Sequence, residues 1–360
     1  MHMTMPLNAV IQGPLTSPPR PGRKWPPGIT TDCLPSILDT ASAISSHNGM
    51  AVVSTWVGEE GAKRDRIASD AAVAGLIETP DPGRPPDTNG PIGGNRLRQV
   101  LSTWRGLEEL ERRGATGLVA KIRTDQTVPI TLVHRFATDF LAGLDESARN
   151  TVVLISGAHS TSLYEIDDFV FVGTLPAMKR FFEAQVRLAP FHSGTASVHG
   201  DLVRKHLAWT VGPALGWPAW RSFPVLPFTM PTTARPRVHS GIIEPWVRTL
   251  RDFLIPMPRE VWLRMTWRGS PPFAEWGEST GLVASHRWFF EDRDLFTRQG
   301  EEVFLRKWPN VFTSRGSGWL QRPLDYAIEI PHELKRGRAS MATRLLRRTR
   351  RMINKVRFRD

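Results

Sequence analysis

The 360-residue sequence has a single cysteine, Cys33, and no run of 18 or more apolar residues. One cysteine cannot form an intrachain disulfide or a cysteine-based zinc site, which fits a reducing compartment. The lack of a long apolar run predicts that no transmembrane helix forms. The start of the chain lacks an apolar segment of signal-peptide length, and the prolines in 17–27 would break a helix there. We therefore expect a cytoplasmic protein, free or peripheral on the inner face of the cytoplasmic membrane.

Three common sequence motifs are also missing. The chain contains no G-x-G-x-x-G, no G-x-x-x-x-G-K-[ST] and no H-E-x-x-H. Their absence weighs against dinucleotide-dependent oxidoreductases, P-loop NTPases and zincin proteases. Any phosphate site in this protein has to be built from other residues.

The net charge of +12 is concentrated near the end of the sequence. Residues 332–360 include eleven Lys or Arg against two acidic residues, so 1–331 carry only +3. From Ser340 onward, apolar residues recur at helical spacing between the arginines, which predicts a basic amphipathic helix. Such helices lie on anionic membranes. A nucleic-acid-binding arm and a solvated tail are the alternatives.

Short apolar runs alternate with amphipathic segments through the first half of the chain. The alternation predicts a mainly parallel α/β sheet with helices on both faces. Asn95 is the expected N-cap of one helix, and Gly114 is expected to end it. The predicted strands are 7–15, 50–56, 71–77, 118–122, 151–156 and 169–173, and the predicted helices are 31–47, 95–113, 131–144 and 176–187.

The composition changes after about residue 207. Ten of the thirteen tryptophans lie between Trp209 and Trp319. We predict an α/β domain at 1–206, a Trp-rich region at 207–331 and the basic tail at 332–360. The indoles of Trp262, Trp267 and Trp276 are either sugar-stacking platforms or parts of a core.

Polar residues follow each of the first predicted strands. Because parallel strands end at one edge of a sheet, these residues should meet where such sheets bind ligands. Together they could hold a nucleoside diphosphate. The alternative is that polar residues simply mark where strands stop. The residues are Gln12, Gly13 and Pro14 after the first strand, Thr55 at the second, Asp81 after the third, and Arg123 and Asp125 after the fourth.

The segment Lys121-Ile-Arg-Thr-Asp125 places three charges on one side of a strand. In one interpretation Arg123 grips a diphosphate and Asp125 binds Mg²⁺ or Mn²⁺. In the other, the charges form a structural ion-pair network. The helix beginning at Asn95 and Arg96 adds backbone amides that favour an anion.

The order of six short polar segments along this chain resembles that in the WavE lipopolysaccharide-synthesis family. The resemblance covers roughly residues 7–205 and implies a GT-A-like fold and a role in building bacterial surface polysaccharide. Asp81 lacks the acidic neighbour of the family pattern, and Arg123 stands where an Asp-x-Asp would begin, which favours phosphate over metal binding. The family also suggests Asp201 as an acceptor base. The matching pieces are Gln12-Gly-Pro14, Ser54-Thr-Trp56, Asp81-Pro-Gly83, Asn95-Arg96 with Gln99, Lys121-Ile-Arg-Thr-Asp125 and Asp167-Asp-Phe-Val-Phe-Val-Gly173.

The strand-end residues and this resemblance together predict a glycosyltransferase, with 1–206 as a GT-A-like nucleotide-sugar-binding domain and 207–331 as its acceptor-side region. Its donor would be a nucleotide sugar, with Mg²⁺ or Mn²⁺ as a possible cofactor, and its acceptor a surface polysaccharide or lipid-linked saccharide. An anionic membrane surface is the partner expected for 340–360, and nucleic acid is not expected. The rival hypothesis is a noncatalytic nucleic-acid- or membrane-binding protein that acts through its basic tail.

Overall fold

A seven-stranded sheet is the centre of the computed structural model, which describes residues 5–18, 30–83, 94–159, 166–187, 244–271 and 287–292. The spatial order of the strands is β3-β2-β1-β4-β6-β5-β7. β6 runs antiparallel to β4 and β5, and the other pairings are parallel. The predicted mainly parallel α/β class is therefore confirmed. The strands are β1 (Leu7–Gln12), β2 (Ala51–Trp56), β3 (Val73–Thr79), β4 (Leu118–Arg123), β5 (Val153–Ile155), β6 (Phe171–Thr174) and β7 (Leu254–Pro256).

The central strands are buried on both faces. All six residues of β1 and all six of β2 are buried. In β1, Leu7, Ala9 and Ile11 pack into one core and Val10 packs into the other. Continuous apolar runs are typical of parallel strands covered on both sides, which is why these runs were predictable. Pro256, which lacks an N–H, lies in the edge strand β7.

Helices cover both faces of this sheet, as predicted. The apolar stripes of α1 and α4 pack into the core that contains Leu7, and those of α3 and α6 pack into the core that contains Val10. The helices are α1 (Leu34–Ser46), α2 (Gly61–Ala68), α3 (Gly94–Arg112), α4 (Ile130–Ala142), α5 (Glu146–Arg149), α6 (Leu175–Arg187), α7 (Glu244–Asp252) and α8 (Arg259–Arg264).

The limits of α3 differ slightly from the prediction. The helix begins at Gly94, so Asn95 lies inside the first turn and is not the N-cap. Gly114 does end the helix: its φ is +74°, and its N–H donates to Glu111 O at 2.9 Å. Helix α2 was not predicted because only Ile67 of its eight residues is buried, which leaves no apolar stripe in the sequence.

The region after residue 207 contributes directly to the sheet. β7 pairs in parallel with β5, with Leu254 opposite Val153. Trp262 and Trp267 are buried, so they belong to the core and are not exposed sugar platforms.

Trp276, Asp201 and the stretch 332–360 lie outside the described residues. None of the helices in the described part of the chain is both long and apolar enough to span a bilayer.

Gly106 sets how closely α3 packs on the sheet. A Cβ at this position would lie 2.3 Å from Val10 Cγ1 and 2.9 Å from Val10 Cγ2. Both atoms belong to a buried, branched side chain that has little room to move. The absence of a side chain therefore lets α3 lie against β1, and α3 carries several residues of the site described below.

We predict that Gly106→Ala lowers the free energy of unfolding by about 1–3 kcal/mol, because the added methyl overpacks the core. Urea unfolding measures the change. Gly143→Ala is the control, because the nearest atom to a Cβ there is 3.5 Å away and φ is −75°. Adding Val10→Ala to Gly106→Ala should recover part of the loss. A Gly106→Ala protein as stable as the parent would contradict the close packing.

Candidate functional site

The strand order reverses between β1 and β4. From β1 the chain adds β2 and β3 on one side, and β4 and the later strands lie on the other side. In open α/β sheets ligands bind beyond the carboxyl ends of the strands at such a switch point. Gln12 and Arg123, the last residues of β1 and β4, are register partners there. This is where the candidate site is built.

The loops that leave β1 and β4 touch each other. Gln12 O accepts a hydrogen bond from Thr124 N at 3.0 Å, and Thr124 Oγ1 donates to Pro14 O at 2.8 Å. Gly13 has a φ of +138°, and a Cβ there would lie 2.5 Å from Thr124 Oγ1. Only glycine fits this backbone and this approach. The predicted site residues Gly13 and Pro14 therefore shape the loop through their backbones.

A polar row continues from Gln12 along α3 to Asp168. The Ser102 hydroxyl lies 3.0 Å from Gln12 Oε1, and Gln99 Nε2 donates to Asp168 Oδ2 at 2.8 Å. Gln12, Ser102 and Asp168 are each less than 7% exposed. The contacts among the described residues leave Gln12 Nε2 available as a donor. The predicted residues Gln12 and Gln99 thus share the α3 face of the sheet.

Lys121 is buried on the same face. It is 1% exposed, its Nζ donates to Asp168 O, and the ammonium lies 5.2 Å from the centre of the Phe171 ring. Burial lowers the pKa of Lys121 to about 7, although the Asp168 charge acts in the opposite direction. Lys121 therefore changes charge near neutral pH.

Asp125 is the centre of an ion-pair network. Arg123 binds it with two parallel hydrogen bonds, Nε to Oδ1 at 2.9 Å and Nη2 to Oδ2 at 3.0 Å. From the C-terminal part of the chain, Trp267 Nε1 donates to Oδ2 at 2.9 Å and Arg268 Nε at 3.3 Å. Arg123 Nη1 also lies 3.5 Å from Asp168 Oδ2. Asp125 and Arg123 are therefore adjacent, as in both interpretations of this segment. The contact between them in the structure is an ion pair.

The network fixes the charge of Asp125. Burial favours the neutral carboxyl, but Arg123, Trp267 and Arg268 outweigh it and hold the pKa of Asp125 well below its usual range. The nearby Cys33 thiol has its pKa raised to about 11, first by burial and then by the Asp125 charge. Cys33 is therefore a buried thiol and not a nucleophilic thiolate at neutral pH.

The other predicted residues have different surroundings. Both carboxylate oxygens of Asp81 are bound by Arg98, with Nε at 2.6 Å and Nη2 at 2.5 Å. Thr55 is fully buried, and its hydroxyl has no partner among the described residues. By strand alternation it faces the side of β2 opposite Ser54, away from α3. Asn95 and Arg96 lie in the first turn of α3, and their side chains are outside the described residues.

Sequence reasoning missed the partners supplied by the C-terminal part of the chain. Arg268 and Trp267 bind Asp125, and Arg287 binds the neighbouring Asp167 through Nε at 2.6 Å and Nη2 at 3.0 Å. The one local signal was the Arg268-Gly269 pair, which is suited to a two-residue turn. Both residues have positive φ, +54° and +75°.

No family model and no curated protein matches this chain. The resemblance to the WavE family therefore remains a prediction.

Several solved structures match part of the chain. A 4-diphosphocytidyl-2C-methyl-D-erythritol synthase from Anaerococcus prevotii is 12% identical, covers 51% of this chain and 78% of its own, and has a TM-score of 0.31. A mannose-1-phosphate geranyltransferase from Thermus thermophilus is 15% identical, with coverage of 66% and 71% and a TM-score of 0.30. The galactosyltransferase LgtC, in complex with donor and acceptor sugar analogues, is 12% identical, with coverage of 62% and 84% and a TM-score of 0.34. Similarity at this level assigns no activity to this chain.

We predict that Lys121 makes stability depend on pH. Its pKa is about 7 in the folded chain, against an ordinary value of 10.5. Between these values the unfolded chain holds the proton that the folded chain has released, so the free energy of unfolding rises with pH. Lys121→Met removes this contribution. In urea unfolding from about pH 6 to pH 10, the parent should gain stability relative to Lys121→Met as pH rises.

The control for this experiment is Lys179→Met, at a partly exposed lysine on α6. A curve for Lys121→Met that runs parallel to that of the parent would contradict the lowered pKa of Lys121.

Proposed function

We propose that this chain is a GT-A-like transferase that binds a nucleotide sugar at the carboxyl ends of β1 and β4 and transfers the sugar to a saccharide. The observation that carries the proposal is the pairing of Gln12 with Arg123 at the switch point of the sheet. An amide suited to hydrogen bonding a base lies there beside a guanidinium suited to binding phosphate. The two groups match the two ends of a nucleoside diphosphate.

The nucleoside would lie over Gln12 and α3. Gln12 Oε1 lies 3.0 Å from the Ser102 hydroxyl, which also lies 2.8 Å from Arg98 O, and Gln12 Nε2 would donate to a base carbonyl. Gln99 lies one turn before Ser102 on α3, and Asp168 holds it in place. The Asp81–Arg98 ion pair joins the loop after β3 to the same turn of α3. This pair would border the nucleoside pocket on the β3 side.

The diphosphate would lie against Arg123 and the first turn of α3. As the bond between the anomeric carbon and the diphosphate oxygen breaks, negative charge grows on the diphosphate. A guanidinium already fixed by Asp125 stabilises that charge without having to reorient. The amides of the first helical turn, at Asn95 and Arg96, favour the same anion. In this proposal Asp125 works by positioning Arg123.

The acceptor side is proposed from the sequence. Asp201 is the proposed base that takes a proton from the acceptor hydroxyl. The basic stretch 340–360 would bring the enzyme to an anionic membrane that carries a lipid-linked saccharide. Both lie outside the described residues. The rival hypothesis, a noncatalytic protein acting through the basic tail alone, predicts no binding of nucleotide sugars.

We expect Arg123→Gln to weaken nucleotide-sugar binding about tenfold to hundredfold, the effect of losing hydrogen bonds to a charged group. A panel of UDP-, GDP-, ADP- and CDP-sugars first identifies the donor by thermal shift, and titration calorimetry then compares affinities. Gln12→Met, which keeps the side-chain size, should weaken binding about tenfold through the loss of one or two hydrogen bonds to the base.

The matched control for Arg123→Gln is Arg112→Gln, at an exposed arginine that is also ion-paired, with Glu109 on α3. It should bind the donor as the parent does. If no nucleotide sugar binds the parent, or if Arg123→Gln and Gln12→Met both bind with parental affinity, the donor site is wrong.

Removal of residues 340–360 should reduce binding to vesicles that contain anionic phospholipid. The segment holds eight Lys or Arg, each of which adds about 1 kcal/mol near an anionic surface. Sedimentation with vesicles measures the bound fraction, and vesicles of neutral phosphatidylcholine are the control. Equal binding of the full and shortened chains to anionic vesicles would refute the membrane anchor.

A further inference from the structure

Asp125 is the carboxylate that the sequence predicts as a ligand of Mg²⁺ or Mn²⁺, but its surroundings do not fit a divalent cation. A carboxylate has about four lone-pair positions on its two oxygens. Arg123 Nε takes one on Oδ1, while Arg123 Nη2, Trp267 Nε1 and Arg268 Nε all lie within 3.3 Å of Oδ2. These donors occupy Oδ2 and leave one lone-pair position on Oδ1, where a metal ion would lie against the Arg123 guanidinium. The described residues also contain no group of three or more His, Cys, Asp or Glu side chains that could hold a metal.

Arg268 reaches this position through an unusual backbone. Its φ is +54°, a value that residues other than glycine rarely adopt. With Gly269 it forms a tight turn in which Trp267 N donates to Ser270 O at 2.7 Å and Ser270 N donates to Trp267 O at 3.1 Å. Arg268 N in turn donates to Asp125 O at 2.8 Å. The turn holds the Arg268 side chain against Asp125, and such backbone outliers are concentrated at functional sites.

The two guanidiniums keep donors for an anion. Each has five N–H groups. The contacts among the described residues use three on Arg123, two to Asp125 and one to Asp168. They also use three on Arg268, to Asp125, Pro18 and Ser17. Two N–H groups remain on each arginine in these contacts. The side chains are 14% and 7% exposed, so an anion that reaches them leaves most of its water behind.

The charges in this cluster leave an excess of one positive charge while Lys121 is protonated. Arg123 and Arg268 together carry two positive charges, and Asp125 supplies one negative charge between them. Beside them, Asp168 adds a second negative charge, with Oδ2 3.5 Å from Arg123 Nη1. Lys121 adds a third positive charge when it is protonated, and its Nζ donates to the backbone O of Asp168. The excess charge and the open N–H groups lie at the carboxyl ends of β1 and β4, where the donor diphosphate is proposed to bind.

We propose that Arg123 and Arg268, held together by Asp125, take the place of a divalent cation on the donor diphosphate. Asp125 is then the shared counterion of two arginines and a positioning residue, and donor binding needs no metal ion. Guanidinium groups bind phosphate oxygens with two parallel hydrogen bonds and stay charged, so they stabilise a leaving diphosphate as a cation would. This inference rests on the proposed nucleotide-sugar function.

Titration calorimetry of the full chain tests it, with UDP, GDP, ADP and CDP as probes, once with EDTA and once with Mn²⁺. We expect at least one diphosphate to bind, with affinities in the two buffers that agree within about twofold. Binding that requires Mn²⁺ would overturn this inference and leave the proposed function standing. If no diphosphate binds in either buffer, the proposed function and this inference both fail.

Arg268→Gly removes the guanidinium and keeps the backbone turn, because glycine adopts a φ of +54° freely. The variant should fold and should bind the diphosphate about tenfold more weakly, in EDTA and in Mn²⁺ alike. Arg264→Gln is the control, since that arginine lies nearby on α8 and is 63% exposed in an ion pair with Glu260. Parental affinity in a folded Arg268→Gly protein would overturn the role of Arg268.

Discussion

The candidate site depends on one buried ion-pair cluster, the carboxylate of Asp125 between the guanidiniums of Arg123 and Arg268. It joins the end of β4, the loop that follows β1 and a turn more than 140 residues further along the chain. Asp125 is the counterion that both buried guanidiniums share, and its removal would leave them without it, which proteins tolerate poorly. The cluster therefore connects the C-terminal turn to the sheet edge where we propose that the donor binds.

The sheet supplies the geometry that this ion-pair cluster stabilises. The strand order reverses between β1 and β4, which is where open α/β sheets bind ligands, and Gly13 lets the two departing loops cross within hydrogen-bonding distance. Gly106 lets α3 approach closely enough to place Ser102 beside Gln12. Rigid elements thus position the polar groups, and binding then costs little reorganisation. A donor diphosphate would meet preformed charges and would not have to assemble them.

The sheet and part of the site were predictable from the sequence because both leave local signals. Continuous apolar runs marked β1, β2 and β4, and polar residues at their ends identified Gln12, Arg123 and Asp125. The sequence pattern did not predict which groups bind Asp125, because its partner Arg268 is 143 residues away in the sequence. Thr55 looked equivalent to Gln12 as a polar strand end, yet alternation turns its side chain to the opposite face. Helix α2 escaped prediction because it has no apolar stripe to detect.

A crystal structure of the full chain with a bound nucleoside diphosphate, grown without divalent metal and then soaked with Mn²⁺, would test the central claim most directly. The account predicts phosphate oxygens about 3 Å from the guanidinium nitrogens of Arg123 and Arg268 before the soak. It also predicts that Asp125 keeps both arginine partners after the soak. A Mn²⁺ ion bound to the Asp125 carboxylate, or a nucleotide bound away from the ends of β1 and β4, would contradict it.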